Sequence, residues 1–320
     1  MSFAAAAPVV SIIIPCYNGE RYVVESINSA LDQRDAACEV IVIDDGSTDG
    51  SLEVIKSFGE RIRWESGPNR GGGAARNRGL ELARGEWIKF HDADDVLLPE
   101  CVANQMIHSA SLAEMELSFG YGVDLASKQR VSTLGPAADA EMVAFCFSHD
   151  ILTPTVLHRR SVLQEIGGFD ESLAAGQEWN LHMRLALAGY RFIYVDACLF
   201  RYRHHFGEDR VSMRKKNSPG GFFKVLEGYG KILWMLEQRW PDDLPVEIAR
   251  GVFNKLTEVG RISQRRGRKQ EAAVWYELAG RYRPRGWEGG GGRAFSILRL
   301  FVGPLRAEAI LGLLRNQTQD

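Results

Sequence analysis

Hydrophobic positions in the first 200 residues alternate between two patterns. Residues 9–14 (VVSIII) form a nearly unbroken β-branched run closed by Pro15, and residues 40–43 (VIVI) form another closed by Asp44-Asp45-Gly46. Short continuous apolar runs of this kind predict strands buried on both faces. Residues 20–33 instead carry Val23, Val24, Ile27, Ala30 and Leu31 at helical spacing. Residues 47–58 predict a helix opened by Ser, Thr and Asp, with Ser47 or Thr48 as its cap. Residues 61–65 predict a third strand and 72–83 a helix. Residues 87–90 predict a fourth strand, running into His91-Asp92-Ala93-Asp94-Asp95. This strand–helix rhythm predicts a doubly wound, mostly parallel α/β sheet, whose ligands sit at the carboxyl ends of the strands. Both acidic clusters fall at such ends.

Further along, residues 178–188 predict a helix and 192–195 a strand. After about residue 207 the pattern becomes helical, over 224–239, 246–266 and 269–282. Residues 259–284 resemble one unit of a tetratricopeptide-type hairpin, a motif that normally needs neighbours. Gly289–Gly292 form a hinge before a last apolar stretch, 294–314, which Arg299, Pro304, Arg306 and Glu308 interrupt. No run reaches the roughly 18 uncharged apolar residues of a membrane span. The expected division is an α/β unit over 1–210 and a helical, basic region over 211–320.

The 320 residues are 45% hydrophobic and 25% charged, with 39 Lys+Arg against 41 Asp+Glu and a net charge of −2. These values exclude a disordered chain, a collagen and a disulfide mini-protein. They also exclude a uniformly basic chain, so no nucleic-acid partner is expected. The charge is uneven, however. Residues 1–200 hold 16 basic and 28 acidic side chains, and residues 201–320 hold 23 and 13. The basic part would meet either an anionic membrane surface or the acidic half beside it. The five cysteines are scattered without CxxC spacing, which fits a reducing compartment. The N-terminus lacks the basic segment of a signal peptide. A cytoplasmic protein is expected, free or peripheral on the cytoplasmic face of a membrane.

Asp92, Asp94 and Asp95 place three carboxylates just after an apolar strand. Hard oxygen donors suit Mg²⁺ or Mn²⁺, and a capping turn explains such a cluster equally well. Asp44 and Asp45 have the chemistry to accept from a nucleobase or a ribose hydroxyl, and a helix cap is the bland alternative. Asn69-Arg70-Gly71-Gly72-Gly73-Ala74-Ala75-Arg76-Asn77 is glycine-rich but matches neither GxGxxG after a strand nor the P-loop. Its glycines permit close approach to a ligand, and Arg76 suits either a diphosphate or an ion pair with the acidic clusters. Glu178, at the start of a helix, is either a general base or a dipole-stabilised surface acid.

The ordered series Val10–Asn18, Val42–Asp49, Ala75–Gly79, Asp92–Asp95, Gly167-Gly168-Phe169-Asp170, Gln177-Glu178-Trp179 and Tyr202-Arg203-His204-His205 resembles the family 2 glycosyltransferases, which have a GT-A fold. The resemblance covers about residues 8–206. It implies a nucleotide-sugar donor, probed by Pro15, Tyr17, Asn18, Asp44, Asp45, Arg76 and Asp92. It also implies a divalent metal, Mn²⁺ or Mg²⁺, held by Asp94 and His205, with His204 as the neighbouring candidate and Asp95 behind the ligands. The family's base is an aspartate directly before a tryptophan, and here that position is Glu178. The implied reaction is single displacement with inversion, from a UDP-sugar to a glycan or lipid-linked acceptor, in polysaccharide or glycolipid synthesis. Two other classes compete: a non-catalytic scaffold on a degenerate transferase fold, and a nucleotidyltransferase. The second needs a basic glycine-rich loop near the N-terminus, and residues 15–20 offer none.

Overall fold

The computed structural model describes residues 9–109, 111–131, 135, 141–173, 175–204 and 221–284. His205, the four-glycine hinge and the apolar stretch 294–314 lie outside the described residues.

The main sheet is centred on β1 (Val10–Cys16), between β2 (Cys38–Asp44) and β4 (Trp87–Phe90). Its edges are β3 (Arg63–Ser66), parallel to β2, and β7 (His158–Arg159), antiparallel to β4. Successive strand residues point to opposite faces, so a strand covered on both sides must be apolar throughout. Ile13, Ile41, Ile43, Ile88 and Phe90 enter one core, and Ile12, Ile14, Val40, Val42 and Trp87 enter the other. Helices α1 (Val23–Leu31), α2 (Ser51–Ser57) and α4 (Cys101–Ser109) cover the second face. On the first face lie α3 (Gly72–Leu82), α5 (Met142–Ser148) and α7 (Gln177–Leu187). The short α6 (Arg160–Glu165) follows β7. A smaller sheet pairs β8 (Arg191–Tyr202) with β6 (Glu116–Asp124) and β5 (Val96–Leu97).

The helical region consists of α8 (Gly221–Arg239), α9 (Val246–Arg265) and α10 (Lys269–Arg281). Its Ile232, Leu236, Val252, Leu256 and Trp275 continue the first core rather than building a separate one. The α9–α10 turn passes through Gly267 at φ +77, and Gly260 lets the two helices meet, since a Cβ there would stand 2.8 Å from Tyr276. No helix among the described residues is long and apolar enough to cross a membrane.

Two expectations change. The helix expected from residue 47 starts at Ser51, because Ser47 and Thr48 are tied elsewhere. The Ser47 hydroxyl oxygen accepts the Asn18 N–H at 2.9 Å, and Thr48 N–H donates to Asn18 Oδ1 at 2.7 Å. Asp49 instead accepts Ser51 N–H at 3.0 Å, and Glu20 accepts Gly50 N–H at 3.0 Å. Secondly, β8 is three times the length of the strand expected at 192–195. It runs out to Tyr202 and delivers the Tyr202-Arg203-His204 segment beside the second acidic turn.

Candidate active site

The end of β2 presents Asp44 and Asp45, both buried. Asp44 accepts the Ser66 hydroxyl at 2.7 Å and the Ser47 N–H at 3.2 Å. Asp45 accepts the N–H groups of Arg70 at 2.7 Å and Gly71 at 2.8 Å, one on each oxygen. Gly71 takes φ +96, a conformation L side chains rarely adopt, and the next residue starts α3. These carboxylates therefore anchor the glycine-rich loop whatever else they bind. Tyr17 is exposed beyond the end of β1, Pro15 pairs in register with Ile43, and Asn18 at φ 51 ties the loop after β1 to Ser47 and Thr48.

The loop's glycines have packing reasons. A Cβ on Gly73 would stand 3.0 Å from the Gln177 amide nitrogen, so the second and third glycines lie under the start of α7. Gln177 is buried there and donates to the Leu173 carbonyl at 2.7 Å. Asn77 pairs with both backbone polar groups of Phe169, at 2.9 and 2.8 Å, and locks the Gly167-Gly168-Phe169 turn onto α3. Between these two clamps α3 aims Arg76 inward. Its side chain is 8% exposed, and its Cζ stands 5.4 Å from the Phe169 ring centre. Nη2 donates to Asp92 Oδ1 at 2.6 Å and lies 3.7 Å from Glu178 Oε1, while the buried Nε has no hydrogen-bond partner. Burial opposes the charge of Arg76. The Asp92 and Glu178 carboxylates more than offset this and raise its pKa above the ordinary value.

The end of β4 presents the second acidic turn. Arg203 braces it by donating from its backbone N–H to Asp95 Oδ1 and from Nε to the Asp94 carbonyl, each at 2.9 Å. Arg203 also pairs with Glu25 and lies over the Tyr22 ring. His204 stands 3.7 Å from Asp124 Oδ2 and lines a separate cleft with it. Among the described residues no group of three or more His, Cys, Asp and Glu gathers to hold a metal ion. The donors available for one are the carboxylates of Asp94 and Asp92, the latter with one oxygen on Arg76. Two hard oxygen donors on one turn fit Mg²⁺ or Mn²⁺, which complete their shells with water and substrate phosphate.

Glu178 stands in the first turn of α7, after Gly176 in the left-handed conformation. Its side chain is 37% exposed. Trp179 fixes this turn, donating from its indole to the Cys146 carbonyl at 2.9 Å and packing 4.6 Å from the Tyr229 ring of α8. Asp92 and Glu178 line one cleft of about 480 Å³, whose far wall is made by α8, α9 and α10. Sequence reasoning left out Gln177 as a packing group, Phe169 under the guanidinium and Arg203 as the brace of the acidic turn. The signal for the last was its place two residues before the expected ligand His205.

Residues 11–109 match the family model described as "Glycosyl transferase family 2". That span holds Asp44, Asp45, Arg76, Asp92 and Asp94 and excludes Glu178. An uncharacterized glycosyltransferase of Rickettsia prowazekii is 32% identical over 183 residues, 55% of this chain and 58% of the relative. The chain thus spans little more than half the length of that relative. Among solved structures, S. aureus TarS 1–349, also solved with UDP-GlcNAc, superposes with a TM-score of 0.57 at 17% identity, over 85% of this chain and 90% of that one. The mannosyltransferase PcManGT of Pyrobaculum calidifontis, in complex with GDP-Man and Mn²⁺, superposes with a TM-score of 0.53 at 16% identity, over 99% and 82%. These likenesses show the fold. Residues 11–109 are thus similar to glycosyl transferase family 2, and the chain has the GT-A fold of the solved glycosyltransferases.

Proposed function

We propose that the chain is an inverting glycosyltransferase that moves a sugar from a nucleoside diphosphate to an acceptor hydroxyl. The observation that carries this reading is the convergence of Asp92 and Glu178 on Arg76 at the edge of one cleft. The donor diphosphate lies against the Asp92–Asp94 turn, with the nucleoside toward Pro15, Tyr17, Asn18, Asp44 and Asp45. Glu178 takes the proton of the acceptor hydroxyl as its oxygen attacks the anomeric carbon. The anomeric C–O bond breaks, the electron pair leaves with the diphosphate, and the sugar carbon inverts. Asp94, Asp92 and His205 are the residues assigned to Mn²⁺ or Mg²⁺, which when bound supplies charge stabilisation to the leaving diphosphate. The donor is a UDP-sugar on this reading; structural relatives solved with UDP-GlcNAc and with GDP-Man make both nucleotides the ones to test.

Residues 1–210 form the catalytic unit on this reading. Residues 211–320 form the second region, whose helices α8, α9 and α10 supply the acceptor wall, facing a glycan or lipid-linked acceptor in polysaccharide or glycolipid synthesis. The protein is cytoplasmic, with an anionic membrane surface as the partner of the basic C-terminal part. Liposome co-sedimentation with and without residues 294–320 tests that contact, and equal binding of both chains rules out the tail as the anchor. The function itself is tested by thermal shift with a panel of UDP- and GDP-sugars in Mn²⁺. One donor is expected to raise the melting temperature by mass action. No shift with any donor favours the non-catalytic scaffold.

A further inference from the structure

Arg76 suits a donor diphosphate by its chemistry, yet here its charged end is committed to two protein carboxylates. Nη2 is 2.6 Å from Asp92 Oδ1 and 3.7 Å from Glu178 Oε1. The guanidinium is nine-tenths buried, lies over Phe169 and fits beside Gly72, where any Cβ would stand 3.1 Å from Nη1. It has little freedom to swing toward a ligand. Glu178, in contrast, is 37% exposed and has three side-chain torsions, one more than an aspartate. Untethered, its carboxylate would spread over several rotamers at the cleft edge. Its neighbour Gln177 is buried against Gly73 and the Leu173 carbonyl, and so cannot restrain it.

We propose that Arg76 is a positioning residue, which draws the Glu178 carboxylate toward the Asp92 turn and so aims a glutamate where an aspartate would need no tether. This rests on the transferase reading and adds a role for this side chain. Holding the base in a near-attack geometry is worth a large factor, since a displacement of about 1 Å can cost roughly 100-fold in rate. Phe169 supplies the platform under the guanidinium. The Asn77 clamp sets Phe169, so the turn at 167–170 belongs to the same device.

The test separates positioning from donor contact. Nucleotide affinity is measured by calorimetry with UDP and GDP in Mn²⁺. Turnover is measured as hydrolysis of the UDP- or GDP-sugar that the unmutated chain cleaves fastest. Arg76→Gln is expected to lower kcat by about 100-fold while nucleotide Kd changes by less than about threefold. Arg76→Lys is expected to recover part of kcat, because an ammonium keeps the charge but not the planar geometry. It also serves if the glutamine variant does not fold. In a Glu178→Gln background, Arg76→Gln is expected to cost nothing further, since the two act as one unit. A tenfold or larger rise in Kd with kcat unchanged, or losses that multiply in the double variant, overturn the positioning role. An unmutated chain that binds neither nucleotide overturns the transferase reading, and with it this role.

Discussion

The carboxylate of Asp45 holds the backbone N–H of Gly71 at 2.8 Å, with Arg70 N–H on its other oxygen at 2.7 Å. The acid at the end of β2 therefore fixes where α3 begins, and α3 carries Arg76 to Asp92 at the end of β4. The two acidic strand ends are parts of one construction.

Asp45→Asn tests this link. An amide offers one acceptor oxygen where the loop presents two donors, so one buried N–H loses its partner. A loss of about 1–3 kcal/mol is expected, read as a lower urea midpoint, with weaker nucleotide binding following from the displaced loop. An unchanged midpoint contradicts the anchoring role.

Gly79→Ala probes the contact that seats α3. A Cβ at this position would stand 2.3 Å from Ile13 Cγ2 in the central strand. Overpacking of this kind costs about 1–3 kcal/mol, and thermal denaturation is expected to show it without a cavity being made.

Stability is expected to fall on mild acidification. His182 is buried, stacks 5.8 Å from the His158 ring and meets Phe192 edge-on. Burial pushes its pKa from 6.5 down to about 4, and burial followed by the charges of His182 and Lys89 lowers His158 as well. The folded state keeps these rings neutral, whereas the unfolded chain takes up protons below pH 6.5. Their contribution is thus complete above pH 6.5 and is lost as pH falls toward about 4. For His182 alone it is on the order of 3 kcal/mol. Urea midpoints at pH 7.5 and 4.5 are expected to differ, and by less in His182→Phe. Equal differences in both proteins contradict the assignment.

Asp94→Ala is expected to remove the Mn²⁺-dependent part of UDP or GDP affinity, while the backbone carbonyl of residue 94 and the Asp95 carboxylate still accept from Arg203. Calorimetry with and without Mn²⁺ measures this. Affinity that responds to Mn²⁺ as before removes Asp94 from the metal role.

Much of the architecture was legible because buried parallel strands leave an unmistakable trace. VVSIII and VIVI have no polar face to show, and the acids that follow them mark the carboxyl edge. The helices over 246–265 and 269–281 were equally plain from spacing. What stayed hidden depends on contacts distant in sequence. Nothing local says that Ser47 turns to Asn18 instead of capping α2, or that Gly73 is small because Gln177 lies on it. Lys89 was counted inside an apolar strand, yet it is fully buried with its ammonium on Gln105. Of the two alternatives for Arg76, the ion pair is present, and only the fold brings in Glu178 as its second partner.

The central claim is that Glu178 is the base, and Glu178→Gln tests it most directly. The amide nearly preserves shape but takes no proton. Hydrolysis and transfer are expected to fall by at least about 100-fold, with UDP or GDP affinity in Mn²⁺ within about threefold of the unmutated chain, as expected for a group that acts on the acceptor. Full turnover by Glu178→Gln would contradict the account.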